Sequence, residues 1–247
     1  TMRKLTKTTP YILLAMLFIC FATCKEQERF ETAGNDKVPP GKITMRTYKP
    51  LFGGARFFYE LPKDEDLLNI ESVYTNAKNQ SFTFAASYFV DSLDVYGFAN
   101  TDEYTIQIFA VDRAGNRSEP VDVKVKPLEP AYSRVANSMA VKPGFSSFFL
   151  DWENELEQNI NVYVDFEFPQ DGQMRSLTSV FSSNLLKDRR FINDLYLATN
   201  EKVKVKVRVE DIYENITETI DKGEITLFED MQIPKDNWIL PKANDSI

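Results

Sequence analysis

The chain has 247 residues, a net charge of −8, no histidine, and cysteine only at Cys20 and Cys24. The missing histidine excludes imidazole triads, His-ligated metal sites and imidazole acid–base chemistry, and the acidic balance argues against nucleic acid as a partner. Beyond residue 24 there is no thiol, so the rest of the chain must be stable on packing alone, which its 43 % hydrophobic content allows.

Arg3, Lys4 and Lys7 precede an uncharged apolar run, Tyr11 to Thr23. The run is too short to cross a bilayer comfortably as a helix. A positive start before a short apolar core reads as a secretory signal over residues 1–23; a membrane anchor or a buried helix is the alternative. Phe21-Ala22-Thr23-Cys24 resembles a bacterial lipobox, and Lys25-Glu26-Gln27-Glu28 resembles the acidic export tag of Bacteroidetes surface lipoproteins. Those resemblances imply lipidation at Cys24, a membrane partner through that lipid, and an outer-membrane location facing the cell exterior. Two or three acyl chains hold a protein firmly where one does not. Residues 24–37 are polar and end before Pro39-Pro40, so they read as a lipidated linker.

Residues 38–127 read as a first β-domain. Ile43, Met45 and Thr47 alternate with polar neighbours, and Gly53-Gly54 turns the chain. Ala55, Phe57 and Tyr59 form the next inward set, stopped by Pro62. Leu68 to Tyr74, Phe82 to Ala86 and Leu93 to Phe98 give three more strands. Tyr104, Ile106, Ile108 and Ala110 then alternate with polar or outward residues. Asp112 to Asn116 turns the chain into Val121, Val123 and Val125, which makes a hairpin. Seven short strands punctuated by turns, with no sustained helical period, argue for an all-β sandwich.

Residues 128–229 read as a second copy. Pro127 to Pro130 is a short stiff joint. Phe148, Leu150 and Trp152 repeat Ala55, Phe57 and Tyr59 at an offset of 93, and the closing hairpin repeats at an offset of 99. About six residues are therefore inserted between them, in the stretch Gln170 to Arg190, which is poor in strand signals at its start. Asp112 and Asn116 recur as Asp211 and Asn215, while Glu214 stands where Gly115 does. Residues 230–247 are polar around Trp238-Ile239-Leu240 and read as a C-terminal linker.

The pattern Leu93-x-Val95-x-Gly97-Phe98, followed by Tyr104-x-Ile106-x-Ile108-x-Ala110-Val111-Asp112-x-x-Gly115, resembles the E–F region of fibronectin type III domains. The resemblance implies two tandem fibronectin type III/immunoglobulin-like sandwiches. It implies a structural role for Tyr104, whose hydroxyl ties the E–F corner to its own backbone. Trp152 matches the family's core tryptophan, Tyr59 stands in that place in the first copy, and Val203 replaces the corner tyrosine in the second. Together with the lipobox, the chain resembles surface lipoproteins associated with Sus-type glycan uptake, many of which carry a further discoidin-like domain. That implies a non-catalytic glycan-binding or spacer component with polysaccharide, transporter or glycan-binding proteins as partners; an adhesion or protein-interaction module is the alternative.

Carboxylates are grouped at Asp64/Glu65/Asp66, Glu153/Glu155 and Glu210/Asp211. They fall on expected loops without a catalytic motif, so no catalytic residue, cofactor or metal is assigned. Asp112 and Asp211 fit Asx turns better than a calcium loop. Lys202, Lys204, Lys206 and Arg208 form a basic stripe on one strand face, suited to an acidic partner or simply the wet face of a sheet. Aromatic faces suit sugars; Tyr213 on the second hairpin loop and Trp238 in the tail are the candidate ligand contacts, with loop packing the alternative for Tyr213. Asp91-Ser92-Leu93 and Asp245-Ser246-Ile247 resemble the Bacteroidetes O-glycosylation sequon.

Overall fold

A computed structural model describes residues 36–229, apart from 77 and 199. The signal segment, Cys24, Trp238 and the second glycosylation triplet lie outside the described residues.

Fourteen strands and one helix are described. The first seven strands are β1 (Thr44–Leu51), β2 (Gly54–Glu60), β3 (Leu67–Thr75), β4 (Ser81–Ser87), β5 (Ser92–Tyr96), β6 (Tyr104–Asp112) and β7 (Val121–Val125). They form one sheet ordered β1-β2-β5 and another ordered β4-β3-β6-β7. All pairings within them are antiparallel. Period-two alternation turns Ala55, Phe57, Tyr59, Leu93 and Val95 of the first sheet onto Ile70, Tyr74, Ile106, Ile108 and Ala110 of the second, and all ten are buried in one cluster. Burying a side chain the size of Phe57 contributes about 2 kcal/mol.

The second set repeats this plan. It comprises β8 (Ala140–Gly144), β9 (Ser147–Glu153), β10 (Ile160–Gln170), β11 (Gln173–Ser183), β12 (Lys187–Ile192), β13 (Lys202–Asp211) and β14 (Ile220–Thr226). Its sheets run β12-β9-β8 and β11-β10-β13-β14, the same order at corresponding positions. Phe148, Leu150 and Trp152 meet Val162, Val164, Phe166, Val203, Val205 and Val207 in the second core. The chain is therefore all-β, with two tandem sandwiches of fibronectin type III-like strand order.

Two stretches differ from the expectation. The joint after Pro130 is followed by a helix, α1 (Ala131–Ser138), where no helix was expected. Tyr132, Val135, Ala136 and Met139 are spaced i, i+3, i+4, i+7 and are all buried in the second core. Pro130 precedes the first turn, where a missing N–H costs nothing. Glu129 lies at the positive end of the helix and accepts from Ser133 Oγ at 2.7 Å. At the other end Lys222 Nζ donates to the Met139 carbonyl at 2.8 Å. The second difference is the stretch after Gln170. It is an eleven-residue strand, β11, paired along all of β10. Part of the insertion lengthens this one hairpin: β3 to β4 spans 67–87 where β10 to β11 spans 160–183, with longer strands and a two-residue turn in place of a five-residue one.

Candidate functional site at the module junction

The two closing hairpins carry the same loop. Asp112 Oδ1 accepts from the Asn116 backbone N–H at 2.8 Å, and Oδ2 accepts from Asn116 Nδ2 at 2.8 Å. Asp211 does the same with Asn215, both bonds at 3.0 Å, and also accepts from the Tyr213 N–H at 2.8 Å. Ser118 Oγ and Thr217 Oγ1 accept from the backbone of Ala110 and Val209 at 3.0 and 3.1 Å. Gly115 has φ +85, a conformation favouring glycine, and Glu214 holds its place at φ +61.

The loops differ in electrostatics. Burial would raise the Asp112 carboxyl, but hydrogen bonds from Asn116, Ala114 and Gly115 outweigh it and hold that group below the usual carboxylate range. For Asp211 burial wins over the bonds from Asn215 and Tyr213, and the carboxyl is pushed up.

What each loop meets gives the second one its role. Asn215 Nδ2 donates to the Gly97 carbonyl of the first sandwich at 3.1 Å. Gln80 Nε2 donates to Glu214 Oε2 at 2.7 Å, and Lys78 Nζ donates to the Glu214 carbonyl. The Tyr213 ring meets Phe82 edge-on, with centroids 6.0 Å apart, and lies 6.4 Å from Phe84. Tyr132 Oη donates to the Ala99 carbonyl at 2.6 Å, and the Arg134 guanidinium lies 5.2 Å from the Phe52 ring centroid. Gly97, at φ +93, is required here: a Cβ would stand 2.7 Å from Tyr74 Oη and 3.0 Å from the Tyr213 ring. The loop of the second sandwich and the helix between them thus clamp the end of the first.

Of the two readings of Tyr213, ligand contact and loop packing, the ring packs: it is half-buried against Phe82, because the first sandwich supplies the wall. One flank stays open. With Tyr96, Glu157, Gln158 and Asn159, Tyr213 lines a cleft of about 220 Å³ beside the junction. Sequence reasoning missed Tyr96 and Gln80 and read Gly97 only as part of a fold motif; Gly97 and Gln80 meet Asn215 and Glu214, more than a hundred residues away in the chain.

The remaining candidates are placed as follows. Tyr104 Oη accepts from the Asn100 backbone N–H at 3.2 Å and donates to Asn100 Oδ1 at 2.9 Å. Tyr59 and Trp152 are buried at matching places, and neither Tyr59 Oη nor Trp152 Nε1 has a hydrogen-bond partner among the described residues. Burial pushes the Tyr59 hydroxyl up to about 12. The basic stripe faces acids on both neighbouring strands: Arg208 pairs with Asp165 at 3.1 Å and Lys202 with Glu224 at 3.4 Å. Lys204 stands opposite Glu167 and Glu224, and Lys206 opposite Asp165 and Asp221, so the face is mixed in charge rather than openly cationic. Among the grouped carboxylates, Glu210 accepts from Tyr163 Oη at 2.7 Å, Asp211 holds Asn215, Glu153 pairs with Lys187, and Glu155 with Arg134. Asp36, Asp66 and Asp112 each bring an oxygen within 4.8 Å of the others, but both Asp112 oxygens are engaged by Asn116. Ser92 opens β5 opposite Phe58.

The fold and the clamp define a tandem pair of fibronectin type III-like modules. Residues 40–127 match a family model described as "Domain of unknown function (DUF4959)", and residues 128–236 match one described as "Domain of unknown function (DUF5126)". The chain thus carries two domains of unknown function in tandem. No curated protein matches the sequence. Similar solved structures include a two fibronectin type III domain segment from chicken tenascin, at 13 % identity and TM-score 0.33, covering 76 % of this chain and 99 % of that one. Another is the FN1–FN3 domains of chicken CNTN1, at 15 % identity and TM-score 0.34, covering 74 % and 66 %. A third is the chicken interferon gamma receptor alpha chain, at 10 % identity and TM-score 0.32, covering 75 % and 98 %.

Proposed function

We propose that the chain is a non-catalytic cell-surface lipoprotein, anchored through Cys24 in an outer membrane, whose clamped modules form a stiff spacer in a polysaccharide-utilization system. The observation that carries the spacer reading is the clamp itself. Asn215 to Gly97, Gln80 to Glu214, Tyr132 to Ala99 and the Tyr213 ring on Phe82 tie one sandwich to the other at points spread over the junction. A linker of flexible composition would let the modules swing; these contacts oppose it. Glycan contact is supported by the cleft beside Tyr96 and Tyr213, which joins two aromatic rings to the polar side chains of Glu157, Gln158 and Asn159.

Small-angle scattering of the two-module chain tests the spacer. One discrete shape that loosens in Asn215→Ala is the expected result, and a freely jointed profile in the unaltered chain sinks the reading. Calorimetric titration against a polysaccharide panel tests the glycan part. Binding abolished by Tyr213→Ala or Tyr96→Ala supports it; silence across the panel removes it and leaves a spacer.

A protein-interaction module is the second reading, and β11 favours it. This edge strand carries no charge from Ser176 to Ser183, and Leu177 and Val180 are 50 % and 51 % exposed. Unguarded edges invite a partner strand. Capture of a transporter from membranes, lost in Val180→Lys, would support it.

A further inference from the structure

The far end of the second sandwich reproduces the geometry by which the first sandwich holds its neighbour. In the first, Phe52 and Leu128 form a parallel bridge. Leu128 N–H donates to the Leu51 carbonyl and Gly53 N–H to the Leu128 carbonyl, both at 2.9 Å. The Gly53 carbonyl then accepts from Gly97 and Phe98 at 3.0 and 3.1 Å. In the second, Phe145 and Phe228 form the parallel bridge. Phe228 N–H donates to the Gly144 carbonyl at 2.9 Å, Ser146 N–H to the Phe228 carbonyl at 3.1 Å, and the Ser146 carbonyl accepts from Leu195 at 2.9 Å. Even the left-handed residue recurs, Gly97 at φ +93 and Asp194 at φ +63.

The two ends differ in what covers them. Three residues past Leu128 the chain enters α1, which lays Arg134 over Phe52 and ties Tyr132 to Ala99. Phe52 is half-buried as a result. At the second end Phe145, Phe228 and Tyr196 are 70 %, 51 % and 78 % exposed. The Phe145 and Phe228 rings meet each other at 5.6 Å. Tyr196 and Phe228 border a hollow of about 410 Å³ floored in part by Leu195 and Leu197. A single exposed aromatic is ordinary; three at the copy of an occupied joint mark a docking surface.

We propose that this end is a socket for the chain's own continuation, residues 230–247, seated through Trp238-Ile239-Leu240. The chain leaves Phe228 at the rim of the socket, as it leaves Leu128 at the rim of the occupied one. Trp238 lies ten residues further on, a reach of up to roughly 33 Å in extended chain. The triplet is the tail's one run of large apolar residues, and Pro241 after it biases Leu240 to an extended form that suits a groove. Tryptophan is the side chain most suited to anchor in an aromatic-rimmed pocket, having an apolar body and one N–H.

Tryptophan quenching by acrylamide in the full chain tests this. Trp152 is 2 % exposed and contributes a shielded background, so the quenchable emission reports Trp238. The expected result is shielding of Trp238 that is lost, with a several-fold rise in quenching, in Phe145→Ser. A Trp238 as quenchable as a free tryptophan derivative in the unaltered chain overturns the proposal, as does shielding that Phe145→Ser leaves unchanged. Hydrogen exchange gives an independent reading: Trp238→Ser should speed exchange of the Phe145 and Tyr196 amides, and no change counts against the seat. Shielding that grows with protein concentration would assign the socket to a second copy and overturn the intrachain occupant.

Discussion

Asn215 and Gly97 stand 118 positions apart in the chain, and the amide nitrogen of the first lies 3.1 Å from the carbonyl oxygen of the second. The matching residue, Asn116, donates at 3.1 Å to the carbonyl of Asp36, again in the segment preceding its own sandwich. In each copy one asparagine closes its own hairpin loop and holds what comes before. Asn215→Ala should therefore do two kinds of damage. It leaves the Gly97 carbonyl and Asp211 Oδ2 without that donor, a loss of about 1–3 kcal/mol. Thermal unfolding should show the loss, and scattering should show a looser pair of modules.

Gly97→Ala should be worse for the junction than for either core. The added methyl meets Tyr74 Oη and the Tyr213 ring, and the residue must hold φ +93. About 1–3 kcal/mol is expected from the backbone alone. Denaturant unfolding of the variant with and without Tyr213→Ala separates the terms: the second change should relieve the ring clash but not the backbone strain.

Tyr59→Phe should be neutral or mildly stabilising. The Tyr59 hydroxyl is buried and has no hydrogen-bond partner among the described residues, so its removal loses no such bond and ends a desolvation cost. The ring, which does the packing, remains. An unfolding free energy lowered by more than about 1 kcal/mol would mean the hydroxyl has a partner, such as an ordered water.

Acid should weaken the Asp112 and Asp211 loops unequally. Asp112 has a lowered carboxyl, so it contributes stability that is present above the unfolded value, near 3.9, and is lost as pH falls through the folded one. Asp211 has a raised carboxyl, so its charged form costs stability at neutral pH, and that cost is relieved as pH falls through the raised value. Asp112→Asn should flatten the acid limb of the unfolding curve. Asp211→Asn should instead remove a gain in stability on mild acidification. Hydrogen exchange of each hairpin against pH reads the two separately.

Glu214→Gly offers a last contrast. Glycine at φ +61 relieves a strain of about 1 kcal/mol in the second hairpin, yet it removes the acceptor of Gln80. The second sandwich should unfold later while the junction loosens.

The alternation of Phe57 and Tyr59, of Phe148 and Trp152, and of Val203 to Val209 was legible because period two needs only neighbours in sequence. The Asp/Asn loops were legible for the same reason. Helix α1 escaped because eight residues give barely two turns of period, and its buried side serves a core built by later strands. Strand β11 escaped because its serines and threonines carry little hydrophobic signal; its pairing is dictated by β10. The half-burial of Tyr213 depends on Phe82 and Phe84, supplied by a different sandwich, and no local reading of Asp211 to Asn215 contains them.

Leu128 follows the last strand of the first sandwich, yet its two backbone bonds reach back to Leu51 and Gly53 at that sandwich's opening turn. A cut made just before it would strip the upstream piece of its own closing stitch and give that stitch to its neighbour. Anyone transplanting the upstream piece into another protein would have to carry Leu128 along, and for Gly53 to keep its seat against Pro130, two residues more.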